Sequence, residues 1–142
     1  IMLTSPHMLL GYTAGKFTDE TNFLNRLRFF KKIGCTALEL HFGLQEINNL
    51  ALSSELIWEI KSFEYLSYHT PAANLWFDET NESKEVLDKI DIWIQTLDIK
   101  LVVIHPDRIK NADVRLERNW PLGLENMDWR KDDAKDVEQM QK

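Results

Sequence analysis

Residues 101–106 read L-V-V-I-H-P, four apolar residues running straight into a histidine and a proline. A strand with one wet face alternates apolar and polar side chains, whereas an unbroken apolar run fits a parallel strand covered on both faces. Leu101–Ile104 is therefore expected to be a strand of a parallel α/β sheet packed between helices. Pro106 cannot donate to a ladder and so ends the strand. It also biases His105 toward an extended backbone. His105 is thus expected at the C-terminal rim of its strand, where parallel α/β folds gather their functional groups. Whether it is a satisfied polar residue or a ligand depends on how the other strands end.

Working outward, residues 82–97 carry Val86, Ile90, Trp93 and Leu97 on one stripe, widened by Leu87 and Ile94, the signature of an amphipathic helix. Glu82 and Glu85 sit near its start, where the helix dipole favours acids. Residues 21–33 place Phe23, Leu27, Phe30 and Ile33 on one helical face, and Gly34 supplies the stop. Ser53 or Ser54 can cap a helix that buries Leu56, Ile60 and Phe63, with Ile57 beside them. Strands are expected at Met8–Tyr12, Ala37–Leu40 and Tyr65–Tyr68, and a fifth near Pro121–Leu124. A short helix is expected over Asn111–Arg118. Val137 and Met140 open another.

The order is strand then helix four times, then a fifth strand, all within one domain spanning residues 1–142. Two parallel architectures fit: a doubly wound open sheet, or the first half to five-eighths of an eight-stranded βα (TIM) barrel. A complete barrel typically takes about 250 residues. At 142 residues the chain is expected to be an incomplete barrel. Its uncovered face and edges would then favour self-association or a missing C-terminal half.

Composition bounds the function. Apolar residues make up 44% and charged residues 28%, and no apolar run approaches a membrane span. The net charge of −6 disfavours a general nucleic-acid surface. A single cysteine, Cys35, cannot form an internal disulfide, which fits a reducing cytoplasm. No G-x-G-x-x-G, P-loop or G-x-S-x-G is present, so dinucleotide binding, Walker-type phosphoryl transfer and serine hydrolysis are disfavoured.

The strand ends carry the chemistry. The second ends E-L-H-F with Glu39 and His41, the third S-Y-H-T-P with His69, the fourth V-I-H-P-D with His105 and Asp107, and the fifth G-L-E-N-M-D with Glu125 and Asp128. Adjacent parallel strands lie about 4.8 Å apart, close enough for side chains at their ends to converge on one ion. Two imidazoles and a carboxylate leave positions open for water or substrate, as catalytic metal sites do. Glu39 and His41, two residues apart, face the same side of an extended strand and are candidates for contacting substrate, as is Asp107. Trp76 and Phe77 could wall a sugar face or pack into the core. Arg130 and Lys131 form a small basic spot.

Y-H-T-P, V-V-I-H-P-D and L-G-L-E-N-M-D together resemble the xylose-isomerase-like barrel superfamily, which includes endonuclease IV and the sugar phosphate isomerases and epimerases. The resemblance covers about residues 8–142 in the family's order. It implies the first five strands of the barrel and a divalent metal, Zn²⁺, Mn²⁺ or Fe²⁺, held by His69, His105 and Glu125. It implies proton transfer next to the carbonyl of a sugar or sugar phosphate, with Glu125 taking part as catalytic group. The family supplies further ligands from strands six to eight, which this chain does not reach. Its first strand ends L-G-Y-T-A-G without the histidine that endonuclease IV-like members often carry. Cleavage of DNA at abasic sites is the alternative within the family, and a non-catalytic truncated barrel module is the alternative outside it.

Overall fold

The computed structural model describes residues 11–14, 19–49, 51–71 and 75–125. Five strands, β1 (Gly11–Ala14), β2 (Ala37–Leu40), β3 (Tyr65–His69), β4 (Leu101–Ile104) and β5 (Leu122–Leu124), form one sheet in the order 1-2-3-4-5. Every pairing is parallel. A doubly wound sheet reverses its strand order at a switch point, and the described strands show no reversal. Right-handed crossovers between strands added in one direction place the connecting helices on one face. The fold is therefore an α/β parallel sheet wound one way.

Those helices are α1 (Glu20–Lys32), α3 (Ser54–Lys61) and α4 (Asn81–Leu97), with the short α2 (Leu44–Asn49) after β2 and α5 (Ala112–Leu116) before β5. Each long helix starts where a side-chain oxygen takes an otherwise orphaned backbone N–H. Asp19 accepts from Asn22, Ser53 from Leu56 and Thr80 from Ser83. Gly34 follows α1 at φ +88, a left-handed conformation that costs glycine nothing. The stripe on α4 is buried at Leu87, Ile90, Trp93, Ile94 and Leu97.

The sequence expectations need four corrections. The first strand runs to Ala14, and Met8–Leu10 lie outside the described residues, as do the tail helix, Asp128, Arg130 and Lys131. Ile33 is 49% exposed rather than part of the buried face of α1. It occupies the C-cap, where the helix has already ended, and the buried face is Phe23, Leu24, Leu27 and Phe30. α2 was not anticipated; it carries one buried residue, Ile47, too few to make a periodic pattern. Finally, β4 is not covered equally on its two faces. Val102 and Ile104 are fully buried, whereas Leu101 and Val103 are half-buried.

The same split holds on β2, whereas on β3 Ser67 of the second face is buried and on β5 all three residues are half-buried. Leu38, Leu40, Leu66, Tyr68, Val102 and Ile104 point into the helix layer and form the core. Pairing sets Glu39 beside Ser67, Ser67 beside Leu101, and His69 beside Val103 on the opposite face. That second face holds the polar side chains and leads up to the rim. Cys35 is a free, buried thiol within the core. No helix among the described residues is long and apolar enough to cross a membrane.

The entry to β5 is fixed by Asp91 on α4. One carboxylate oxygen accepts from Arg118 Nη1 at 2.5 Å, and the other accepts from the indole N–H of Trp120. Trp120 is buried edge-on against Phe77, with centroids 5.7 Å apart. Asp91→Ala strands the buried indole N–H, which typically costs about 1–3 kcal/mol. The expected result is a lower urea midpoint with unchanged slope. Arg118 retains its contact to Asp88 at 2.9 Å, which keeps the loss within that range.

Candidate metal centre

Three of the five strands deliver one donor each to a single point. His69 is the last residue of β3, His105 follows β4 directly, and Glu125 follows β5 directly. Backbone bonds lock them side by side beyond the ladder. The Thr70 N–H donates to the Val103 carbonyl at 2.9 Å, and the Glu125 N–H donates to the Ile104 carbonyl at 3.1 Å. Pro106 ends β4 by opening a short 3-10 turn, Pro106–Arg108.

Ligand atoms of His69, His105 and Glu125 all lie within 4.8 Å of one another. Glu125 Oε2 is the meeting point, 2.7 Å from His105 Nδ1 and 3.5 Å from His69 Nε2. His105 is buried, His69 half-buried. Nε2 of each histidine is buried without a hydrogen-bond partner. A buried, unpartnered nitrogen is costly in a native chain; His69 turns its unpartnered Nε2 toward Glu125, as a cation-binding site would, whereas His105 presents Nδ1 to that carboxylate. Two imidazoles and a carboxylate also match the donor set of catalytic zinc sites. The residues therefore fit a divalent ion.

The remaining sequence candidates are arranged around this group. Glu39 Oε1 lies 3.8 Å from His69 Nδ1. His41, just past β2, is exposed and stacks on His69 with centroids 5.1 Å apart and planes at 17°. His105 stacks on the other side of His69, at 5.0 Å and 26°. The ring separation is close to the spacing of parallel strands, so the sheet itself sets this ladder of imidazoles. Asp107 is not one of the converging ligands. It sits on the 3-10 turn, its carboxylate 3.7 Å from Arg108 Nε.

Trp76 and Phe77 divide the roles offered to them. Phe77 is fully buried and bridges to Ile109. Trp76 is half-exposed, with Arg108 Cζ 4.7 Å and Lys110 Nζ 4.0 Å from its ring centre. Lys110 escaped sequence reading; it lies two residues past Arg108, beyond the 3-10 turn, where the Phe77–Ile109 bridge brings both cations to the Trp76 ring.

Burial pushes the His105 pKa below its ordinary value; the Glu125 carboxylate opposes the shift and His69 adds to it. The native chain then binds fewer protons than the unfolded chain as pH drops below the ordinary imidazole value. Stability rises with pH in that window. The contribution is fully present above about pH 6.5 and is lost as pH falls through the folded pKa. In metal-free protein, the unfolding free energy is expected to decline between about pH 7.5 and about pH 5.5, and to decline less in His105→Asn. Urea unfolding across that range checks it. The same shift keeps His105 in the neutral form that ligates metals.

No family model matches the chain, and no curated protein matches it in sequence.

Proposed function

We propose that this chain forms the β1–β5 part of a βα barrel of the xylose-isomerase-like kind. In this reading it carries a divalent-metal site of His69, His105 and Glu125 and acts on a sugar or sugar phosphate as an isomerase or epimerase. The observation that carries the reading is the convergence of three ligand atoms within 4.8 Å, with both Nε2 atoms buried and unpartnered. The one-way strand order supports the architecture, as does the second sheet face, which carries Glu39, Ser67 and His69 and which a barrel would enclose.

A bound divalent ion would supply Lewis-acid polarisation of the sugar's carbonyl and hydroxyl oxygens. The chain's own residues supply the rest. Glu125, 40% exposed at its side chain, is open to substrate and takes the proton next to the carbonyl. His105 Nδ1, 2.7 Å from Glu125 Oε2, is placed to steady that proton's movement. Glu39, His41 and Asp107 present polar atoms around the rim to sugar hydroxyls.

The test combines metal analysis with turnover. Purified chain is expected to bind about one Zn²⁺ or Mn²⁺ and, supplied with metal, to exchange the proton next to the carbonyl of an aldose or ketose into deuterated water. Absence of bound metal in elemental analysis after loading would sink the reading. Cleavage of an abasic-site duplex without sugar exchange would move it to the nuclease.

A further inference from the structure

We propose that Arg108 and Lys110, gathered on the ring of Trp76, form an anion subsite that takes the phosphate of a phosphorylated sugar. The substrate is then a sugar phosphate rather than a free sugar. The proposal rests on the reading of the site above and narrows its substrate class.

The subsite lies where two rim loops meet. The loop after β3 brings Trp76 and Asp78, and the loop after β4 brings Arg108 and Lys110. Backbone bonds join the loops. The Phe77 N–H donates to the Arg108 carbonyl at 3.0 Å, and the Lys110 N–H donates to the Phe77 carbonyl at 3.1 Å. Phe77 bridges in parallel to Ile109 and is fully buried, which anchors the junction to the core. Arg108 Cζ lies 4.7 Å and Lys110 Nζ 4.0 Å from the centre of the Trp76 ring. An indole face attracts cations, so one ring holds two long, mutually repelling side chains in place. A ligand that meets side chains already in position is spared part of the cost of ordering them.

The nearby carboxylates do not saturate these cations. One oxygen of Asp78 accepts from Lys110 Nζ at 3.4 Å, beyond the usual range of a hydrogen bond. Its other oxygen is committed to the start of α4, accepting from the Thr80 N–H at 3.1 Å and the Thr80 hydroxyl at 2.7 Å. Asp107 stands 3.7 Å from Arg108 Nε, too far for a hydrogen bond. Arg108 Nε is buried without a hydrogen-bond partner, and among the described residues the Arg108 side chain donates no hydrogen bond. A half-buried guanidinium with unfilled donors is costly by itself. Its planar fork suits phosphate oxygens, and the ammonium of Lys110 adds a point charge beside it. The subsite is also close to the metal centre. Arg108 closes the 3-10 turn that follows His105, and its N–H donates to the His105 carbonyl at 3.0 Å. At roughly 2 Å per residue, that turn sets the two backbones about 6 Å apart, a separation that several carbons of a sugar can span. The net charge of −6 favours a small phosphate ester over a nucleic acid as the source of the phosphate.

The subsite can be tested without any metal. Metal-free protein is titrated by calorimetry at low ionic strength with ribose 5-phosphate and, separately, with ribose. Ribose 5-phosphate is expected to bind at least about tenfold more tightly, since hydrogen bonds between charged groups carry the difference. Arg108→Gln is expected to lower the affinity for ribose 5-phosphate about 10–100-fold. Lys110→Gln is expected to lower it less, because that ammonium is exposed and screened. Arg108→Lys is expected to restore part of the loss, keeping the charge without the fork. A purely structural role would lower the melting temperature without changing the ratio of the two affinities. Equal affinity for ribose and ribose 5-phosphate in wild type overturns the proposal, as does unchanged ribose 5-phosphate affinity in both glutamine variants. Tighter binding of an abasic-site duplex, lost in the same variants, overturns it in favour of nucleic acid. If ribose 5-phosphate behaves as described and the chain binds no Zn²⁺, the metal reading fails and the anion subsite stands. If Zn²⁺ binds and the two sugars are not distinguished, the metal reading stands and the anion subsite fails.

Discussion

His105→Ala and His69→Ala are each expected to lower the affinity for Zn²⁺ by on the order of 100-fold or more, since losing a residue that merely orients a ligand already costs about 10–100-fold. The site offers three protein donors among the described residues, and removing one leaves two. His41→Ala is the control. His41 is exposed and stacks on His69 without joining the converging atoms, so its loss is expected to cost less than about tenfold. Competition against a calibrated chelator reads all three. The stability of the metal-free variants adds a second discrimination. His105 buries an imidazole whose Nε2 has no partner, a cost that alanine removes while opening a cavity. Those terms oppose each other, so His105→Ala is expected to change metal-free stability far less than it changes metal affinity. Bound metal unchanged in both histidine variants would show that the three residues do not ligate.

How far this site could be read from sequence depends on what each residue's position requires. His69, His105 and Glu125 were legible because a strand end is a topological fact, and topology follows from the alternation of apolar runs and helical stripes. Pro106 after His105 marked that end in the chain itself. The particular nitrogen that each histidine turns toward Glu125 was not legible. It is set by ring stacking between neighbouring strands, which needs register as well as order. Leu101 and Val103 misled for a related reason. Their side chains are as apolar as those of Val102 and Ile104, so L-V-V-I cannot report that one face is half-open. The cation pair over Trp76 depends on the Phe77–Ile109 bridge between two loops, and no local pattern encodes that.

Phe42→Ala is expected to produce the largest loss of stability, about 3–5 kcal/mol, a large share of the roughly 5–15 kcal/mol that holds a typical domain. Phe42 is fully buried one residue past His41. Its ring meets Phe23 of α1 at 5.6 Å and, edge-on, Trp93 of α4 at 4.9 Å. Its carbonyl accepts from the Tyr68 hydroxyl at 3.4 Å, a phenol whose pKa is pushed up by burial. One side chain thus ties two helices to the top of β2, and alanine cannot fill the space between partners held by their own helices. The melting temperature should fall by on the order of 10–20 °C, and Phe42→Leu, which keeps most of the volume, should cost far less. A fall of only a few degrees in Phe42→Ala would mean the aromatic cluster repacks. Metal affinity, measured well below the melting temperature, is expected to change little. The three donors are held by ladder extensions of β3, β4 and β5, through Thr70 to Val103 and Glu125 to Ile104, and none of those bonds passes through β2. Phe42→Ala and His105→Ala should therefore behave as opposites, one losing stability and keeping metal, the other losing metal and keeping most of its stability. That opposition is the expected mark of a site built on strand ends above a core that supports it without forming part of it.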